Sequence, residues 1–355
     1  MDRMVRLLVV AACISVVAGL YLDGWARNHR LRPHLLFPPT ARLPVLPPPG
    51  FPSGLTPWNL PFYSGLVLLL GLSVLLRAGS LEKGPLDRRA AAGVLVAWAG
   101  SVWAILWPGW TAHTPGAVFR AESLTGLIAP QHLLQAVGVG LLVLQPLRSV
   151  EYPWVTRALS LGLGLSVVTF LTQFAHPFVD PWPSIGFLRT SLQTYRYNLF
   201  YFGEAMGVLS LGLQAALAAG CVLTGVHLGL RRPGSFTMAL GLNALLVCVL
   251  QDRYPFALVG LGTGLVADRL ALRIRMPPEG LELKLCGAAV AGVYCLLYFL
   301  VVSQMPAVDI LYGTGGGFAT APIWGLGWSV PLWLGTTLLS AAAGWALVGI
   351  SWPAR

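Results

Sequence analysis

Near the N-terminus, a polar, aromatic and proline-rich stretch connects two hydrophobic segments. Residues 21–29 read YLDGWARNH and residues 56–65 read TPWNLPFYSG, with a proline-rich run between them. The first string ends one apolar segment and the second begins the next. Aromatic side chains collect where a transmembrane helix meets water, and both strings place tyrosine and tryptophan at such a point. The stretch therefore predicts two membrane helices joined by an exposed connection.

Composition extends this interpretation to the whole chain. Its 355 residues are 56% hydrophobic and 10% charged, with a mean hydropathy of +0.71. A soluble domain carries about 25% charged residues, so most of this surface does not face water. We therefore expect a single transmembrane domain over residues 1–355. The five cysteines fall in apolar segments and form no CxxC pair, which argues against a disulfide framework or a thiolate zinc site.

Ten apolar segments predict helices that cross a bilayer, for which about 20 residues each are needed. The expected fold is an all-α, polytopic integral membrane helix bundle. The run at 7–22 follows two arginines, as in a signal peptide, but no clear small-x-small cleavage site follows it, so we expect a retained helix. The segments at 236–250 and 255–272 predict a tight helical hairpin, with re-entrant half-helices as the alternative. The other seven segments are 57–76, 90–107, 127–147, 154–174, 202–228, 285–303 and 325–350.

The connections between these segments predict the orientation of the chain. Residues 29–55 hold eight prolines, which prevent helix and sheet and predict an extended, extracytoplasmic loop. With the N-terminus inside, 15 of the 23 basic residues fall on the inner side, so both termini are expected in the cytoplasm. The net charge of +10 is spread over short clusters at segment ends. Such clusters indicate a lipid bilayer and other membrane subunits as partners, rather than nucleic acid.

Histidines and carboxylates are concentrated on the predicted outer side. Imidazole and carboxylate together suit copper, zinc or iron(II), and ionisable groups at membrane depth are often functional. The alternative is that loops simply collect the polar residues of a very apolar chain, since no HxxxH, HxH or HExxH spacing occurs. The predicted site for a copper or zinc ion comprises Asp23, His29, Glu122, His132 and His176.

Two further polar residues extend this cluster into a possible cavity. Gln135 lies three residues after His132, so the two side chains share one helix face, directed toward the bundle interior or a water-filled cavity. Hydrogen bonding between helices is the alternative for this pair. Glu204 begins the longest apolar segment and is expected either to pair with Arg196 or to act as a proton or cation relay.

The quoted motifs resemble those of an uncharacterised group of bacterial polytopic membrane proteins. In that group the pattern reads YLDGWAH, then TPWHxxxYSG, then a Ser-Pro-x-His-Leu helix start, to which APQHL at 129–133 is similar. The resemblance implies a bacterial cytoplasmic (inner) membrane. Arg27 and Asn59 replace the two histidines of the pattern, and arginine cannot ligate a metal. If the group's histidines form a metal site, as the resemblance suggests, this chain has lost part of it.

Two functions of different class follow from these residues. One is a transporter or metal-handling protein whose outer cavity is lined by Asp23, His132, His176 and Glu204. The other is a non-catalytic structural or accessory subunit of a membrane complex, held through aromatic and glycine-rich helix faces. An enzyme is less expected than either, because no nucleophile–base pair is recognisable from spacing.

Overall fold

The structure is a computed structural model that describes residues 2–30, 57–78, 87–106, 129–179, 197–275, 280–304 and 330–351. Every regular element within these ranges is helical. Two short 3₁₀ helices lie at Gln173–Ala175 and Tyr254–Phe256. The α-helices are α1 (Asp2–Arg30), α2 (Leu60–Ala78), α3 (Arg88–Leu106), α4 (Pro130–Val143), α5 (Gln145–Arg148), α6 (Trp154–Leu171), α7 (Tyr197–His227), α8 (Ser235–Val249), α9 (Ala257–Arg273), α10 (Gly280–Gln304) and α11 (Val330–Ser351).

The all-α prediction is confirmed for the described residues, and each of the ten predicted segments overlaps a helix. Within the described part, six helical stretches are long and apolar enough to cross a membrane, judged by length and composition. Leu60–Leu75 and Ser235–Val249 are apolar but shorter. The six longer stretches are Met4–Ala26, Trp154–Leu171, Ala205–His227, Tyr254–Arg273, Gly280–Gln304 and Leu332–Ile350.

Helix boundaries differ from the sequence expectation at two places. The first helix continues to Arg30, so it includes the first two residues of the predicted proline-rich loop. The remainder of that loop, 31–55, lies outside the described residues. The segment predicted at 127–147 is divided at Leu144 between α4 and α5. Pro146 accounts for this break, because proline has no N–H to donate and its ring clashes with the carbonyl four residues earlier.

The chain forms two compact units, Met1–Leu171 and Thr172–Arg355. In the first unit, α1 pairs with α2 and α3 pairs with α4, while α6 packs against α1, α4 and α5. In the second unit, α8 pairs with α9, as expected for a helical hairpin, and α10 pairs with α11. The long helix α7 contacts both α10 and α11.

Glycine allows the closest helix contacts in both units. A methyl group at Gly138 on α4 would lie 2.6 Å from the carbonyl oxygen of Gly93 on α3. A methyl group at Gly287 on α10 would lie 2.6 Å from the carbonyl oxygen of Gly344 on α11. Lipid tails are as apolar as leucine, so membrane helices associate through such close packing rather than through the hydrophobic effect.

Two arginines predicted for the inner side form ion pairs in the first unit. Arg6, at the start of α1, lies 3.5 Å from the Glu151 carboxylate. Arg148, at the end of α5, lies 3.7 Å from the Asp87 carboxylate, which precedes α3. Such half-exposed ion pairs stabilise a protein by only about 0–1 kcal/mol each. They matter here because they show which residues lie near one another. They join helix ends and connections between helices whose arginines the charge pattern assigns to one side.

In the second unit, basic residues of the predicted inner side also contact neighbouring helices. Arg231, between α7 and α8, donates hydrogen bonds to the carbonyl oxygens of Ala271 and Ile274 at the end of α9. The Lys284 ammonium on α10 lies 5.7 Å from the centre of the Trp345 ring on α11. Arg231 and Lys284 were both assigned to the inner side by the pattern of basic residues.

The glycine contacts give a testable prediction for the first unit. Gly138→Ala should destabilise the protein by roughly 1–3 kcal/mol, because the added methyl meets the α3 backbone and overpacks the interface. The measurement is thermal unfolding of the purified protein in detergent. Gly140→Ala is the matched control, since nothing lies within 4 Å of its added methyl. Because alanine favours helix, the control should be neutral or stabilising by up to about 1 kcal/mol. Equal effects of the two substitutions would contradict this packing.

Candidate functional site

His132 lies in the first turn of α4, just after Pro130. Proline is well suited to this position because the first helical N–H groups have no partner within the helix. The Nδ1 atom of His132 lies 3.0 Å from Oε1 of Gln135, one turn later. The structure therefore joins the two residues that the sequence predicted to share a face.

Gln135 extends this contact to the neighbouring helix. Its Nε2 donates a 3.1 Å hydrogen bond to Ser101 Oγ on α3, and Ser101 donates in turn to the Ala97 carbonyl oxygen at 2.8 Å. Gly100 makes room for the approach, because a methyl there would lie 2.6 Å from the Gln131 carbonyl oxygen. The cluster is thus a chain of hydrogen bonds between two helices, which was the alternative to a cavity.

The direction of this chain assigns the tautomer of His132. Because the Gln135 amide nitrogen donates to Ser101, its oxygen accepts, and His132 Nδ1 carries the proton. The basic nitrogen of the ring is then Nε2. A histidine whose other nitrogen donates to a fixed oxygen is the arrangement found in metal ligands and proton acceptors. The geometry at His132 therefore suits one ligand of a site.

His176 has a different environment in the second unit. Its side chain is fully buried, and the backbone N–H of Phe178 donates to its Nδ1 at 3.2 Å. The proton of the neutral ring is therefore on Nε2, which is buried without a hydrogen-bond partner among the described residues. Burial lowers the pKa of His176 from 6.5 to about 3, so the ring stays neutral at physiological pH.

Aromatic rings form the surroundings of His176. The Phe178 ring meets the imidazole edge-on at 4.7 Å and stacks on Phe256 at 5.1 Å. Tyr294 and Tyr298 of α10 continue the stack, at 5.8 and 6.4 Å from Phe178. These contacts join the segment after α6 to the hairpin and to α10. Offset aromatic pairs add about 0.5–1.5 kcal/mol each beyond their buried area, so the cluster stabilises the fold.

Arg253 was predicted to be an outer-loop arginine, but it is 3% exposed. Arg253 lies in the turn between α8 and α9, and its guanidinium donates to the carbonyl oxygen of Val179, in the segment after α6, at 3.0 Å. Asp252, just before it, has a positive φ of 54°, a conformation that aspartate tolerates better than most residues. A count of loop charges does not separate such a buried arginine from an exposed one.

Asp268 lies near the end of α9, five residues before the helix ends at Arg273. Its carboxylate accepts hydrogen bonds from the backbone N–H groups of Gly234, Phe236 and Thr237 at 2.8–3.1 Å, and from the Thr237 hydroxyl at 2.6 Å. These donors form the start of α8, whose first N–H groups have no partner within the helix. Asp268 therefore caps the neighbouring helix across the hairpin.

The predicted metal set is only partly described. Asp23, half-buried on α1, and His132 belong to the first unit, whereas His176 belongs to the second. Among the described side chains, no group of three or more His, Cys, Asp and Glu residues is placed to hold a metal ion. The copper or zinc site stays a prediction. Two of its proposed side chains, those of His29 and Glu122, lie outside the described part, as does that of the predicted cavity residue Glu204.

The burial of His176 predicts a pH dependence of stability. Above pH 6.5 the imidazole is neutral in both states, whereas between about pH 6.5 and 3 only the unfolded chain binds a proton. Stability should therefore fall as the pH is lowered through this window, by roughly 2 kcal/mol at pH 5 from this residue. Thermal unfolding between pH 7.5 and 5 measures the effect.

The comparison variant is His176→Asn, whose side-chain oxygen can accept from Phe178 as Nδ1 does. It should lose this part of the pH dependence. His227→Asn, at an exposed histidine of α7, is the control and should keep it. If His176→Asn unfolds with the same pH dependence as the original protein, the burial argument is wrong.

Comparison with known proteins adds no relative to these observations. No family model, curated protein or solved structure matches the chain. The proposals below therefore rest on the sequence and the geometry alone.

Proposed function

We propose that the protein is a non-catalytic structural or accessory subunit of a membrane complex. In this proposal, ten transmembrane helices (α1–α4 and α6–α11) cross a bacterial cytoplasmic membrane, and both termini lie in the cytoplasm. The ion pairs and cation–π contact among residues of the predicted inner side support one common side for them in each unit. The resemblance to bacterial polytopic proteins supports the choice of membrane.

The main support for the proposal is that buried polar side chains bond to, or pack against, other elements of the protein. Gln135 bonds to Ser101, and the Tyr21 hydroxyl donates to the Ser166 carbonyl oxygen at 2.8 Å. Asp268 is engaged by four donors from the next helix. His176 is enclosed by aromatic rings. These side chains join protein elements to one another, which is the role expected in a scaffold.

The last helix supplies a surface for a partner. In the most apolar part of α11, 22% of the residues are buried. The corresponding share is 39–61% in the other five candidate membrane spans of the described part. Leu338, Leu339 and Ile350 are 61%, 64% and 80% exposed. Gly349 has open space at its Cβ position, so a second helix can approach closely there. An apolar transmembrane helix of another subunit fits this face.

A second candidate, a metal-handling protein, is favoured by the tautomer of His132. Its Nδ1 proton is directed to Gln135, so Nε2 is the basic ring nitrogen, the atom through which an imidazole in this tautomer binds a copper or zinc ion. Further ligands would have to come from the predicted set, of which His29 and Glu122 are members outside the described side chains.

Metal analysis separates the two candidates. The original protein and His132→Ala are purified after growth with added copper and zinc, and their metal content is measured per chain. The scaffold proposal expects neither protein to hold a stoichiometric metal, and expects both to show similar unfolding temperatures within the effect of one lost hydrogen bond, about 1 kcal/mol. One metal per chain that disappears in His132→Ala would support the metal-handling protein instead.

Crosslinking in native membranes tests the partner surface. Leu339→Cys places a thiol on the exposed face of α11, whereas the five native cysteines are buried and free. A thiol-reactive crosslinker should then give an adduct of one defined mass. Leu258→Cys, equally exposed on α9, is the control and should give none. An adduct of twice the chain mass, or none from Leu339→Cys, would contradict an accessory subunit bound at this face.

A further inference from the structure

The hairpin of α8 and α9 has a groove of about 500 Å³ along one flank. Its walls are apolar and recur at helical spacing on both helices. One wall is formed by Leu242 and Leu245 of α8, and the other by Leu261, Leu265 and Leu272 of α9. This volume lies within the range of roughly 300–1,000 Å³ that is usual for sites binding small molecules.

Glycines bring α8 and α9 into close contact beside the groove. A methyl at Gly260 would lie 2.6 Å from the Leu240 carbonyl oxygen, and one at Gly264 would lie 2.7 Å from that of Phe236. The two helices are therefore in backbone contact beside the groove. At Gly241 the Leu261 side chain packs directly on the backbone, since a methyl there would lie 2.6 Å from Leu261 Cδ2, whereas the wall residue Leu265 is 59% exposed.

One end of the groove is positively charged. Arg269 lines this end and is exposed. Arg232, next to the lining residue Pro233, is also exposed, as is Arg273, one turn beyond Arg269 on α9. None of these three arginines forms an ion pair with a described residue. They therefore provide positive charge that no described carboxylate neutralises through direct contact.

The carboxylate at this end does not cancel that charge. Asp268 also lines the groove, but its two oxygens accept four hydrogen bonds from the start of α8. The positive end of the α8 dipole further offsets its charge. The groove thus combines an apolar trough with a cationic end, and the pattern of basic residues assigns this end to the inner side.

We propose that the groove binds an anionic phospholipid of the inner leaflet. Its acyl chain lies against the leucines of both walls, and its phosphate lies against Arg269 and Arg232. Charge complementarity selects the lipid, because basic residues near a membrane surface attract anionic head groups by about 1 kcal/mol each. A zwitterionic lipid carries a cationic group that offsets the attraction. The proposal requires a membrane protein, but not the accessory role proposed above.

Other occupants fit less of the surface. A free phosphate would use the arginines but none of the apolar trough. An apolar helix of a partner would leave Arg269 without a counter-charge at the seam. An anionic phospholipid uses both parts of the groove. Its phosphate can contact the arginines at the end while its acyl chain extends along the leucines.

Native mass spectrometry of the purified full chain tests the proposal. The protein is equilibrated with phosphatidylglycerol or phosphatidylcholine in detergent, and the affinity of each lipid is measured. Phosphatidylglycerol should bind more tightly. Arg269→Gln should lower its affinity about fivefold, the effect of removing one cationic side chain. Leu265→Trp should fill the trough and lower the affinity of both lipids.

Matched controls separate the groove from general surface effects. Arg89→Gln removes an exposed arginine of the same predicted side on α3, and Leu258→Trp adds bulk to an exposed site on α9 outside the groove. Both should bind phosphatidylglycerol as the original protein does. Thermal unfolding confirms that each variant is folded, and Arg232→Gln, a change between helices, replaces Arg269→Gln if that variant unfolds.

Several outcomes would overturn the proposal. They are equal affinity for the two lipids, equal losses in Arg89→Gln and Arg269→Gln, and an unchanged affinity in Leu265→Trp. A fourth is protection from unfolding by inorganic phosphate as strong as that by phosphatidylglycerol, which would indicate a phosphate site only. Each of these results leaves the accessory-subunit proposal unaffected, because the experiment uses the isolated chain.

Discussion

A polar group buried among apolar helices has no water to bond with, and leaving it without a partner costs free energy, so most such groups are satisfied by the protein itself. This constraint organises both units. In the first, Tyr21 reaches from α1 to the Ser166 carbonyl of α6, and Gln135 reaches from α4 to α3. In the second, the Asp268 carboxylate caps α8 from α9. Each bond fixes the rotation of one helix against another. Apolar surfaces alone specify this rotation poorly.

The same constraint limits what a polar residue says about function. An ionisable side chain in an apolar helix is often taken as the mark of a site. Here Asp268 caps the start of α8, and Arg253 joins the turn of the hairpin to the Val179 carbonyl in the segment after α6. His176 is neutral because of its burial among aromatic rings. These residues differ from a ligand-binding group in having their charge or lone pair already directed to the backbone.

The helices themselves could be predicted because their signal is local: a run of apolar residues between polar ends. The fine boundaries could not, since the end of α1 and the break at Leu144 depend on how each segment leaves its neighbours. Nor could the role of Asp268, because its partners precede it by more than thirty residues. Gly138 and Gly140 are two residues apart in one apolar segment, yet only Gly138 meets another backbone. Sequence identifies such glycines but does not distinguish the face on which each one lies.

The basic residues of the predicted inner side have several different physical roles, although they give one signal in the sequence. The positive-inside rule counts Arg148, Arg231 and Arg269 equally. In the structure, Arg148 is near Asp87 and Arg231 holds the carbonyls at the end of α9, so both connect chain segments. Arg269 is exposed beside an apolar groove and has no such partner in the described part of its unit. In the lipid proposal, the arginine that makes no such structural contact is the one that attracts a charged lipid. This difference between the arginines follows from their geometry rather than from their number.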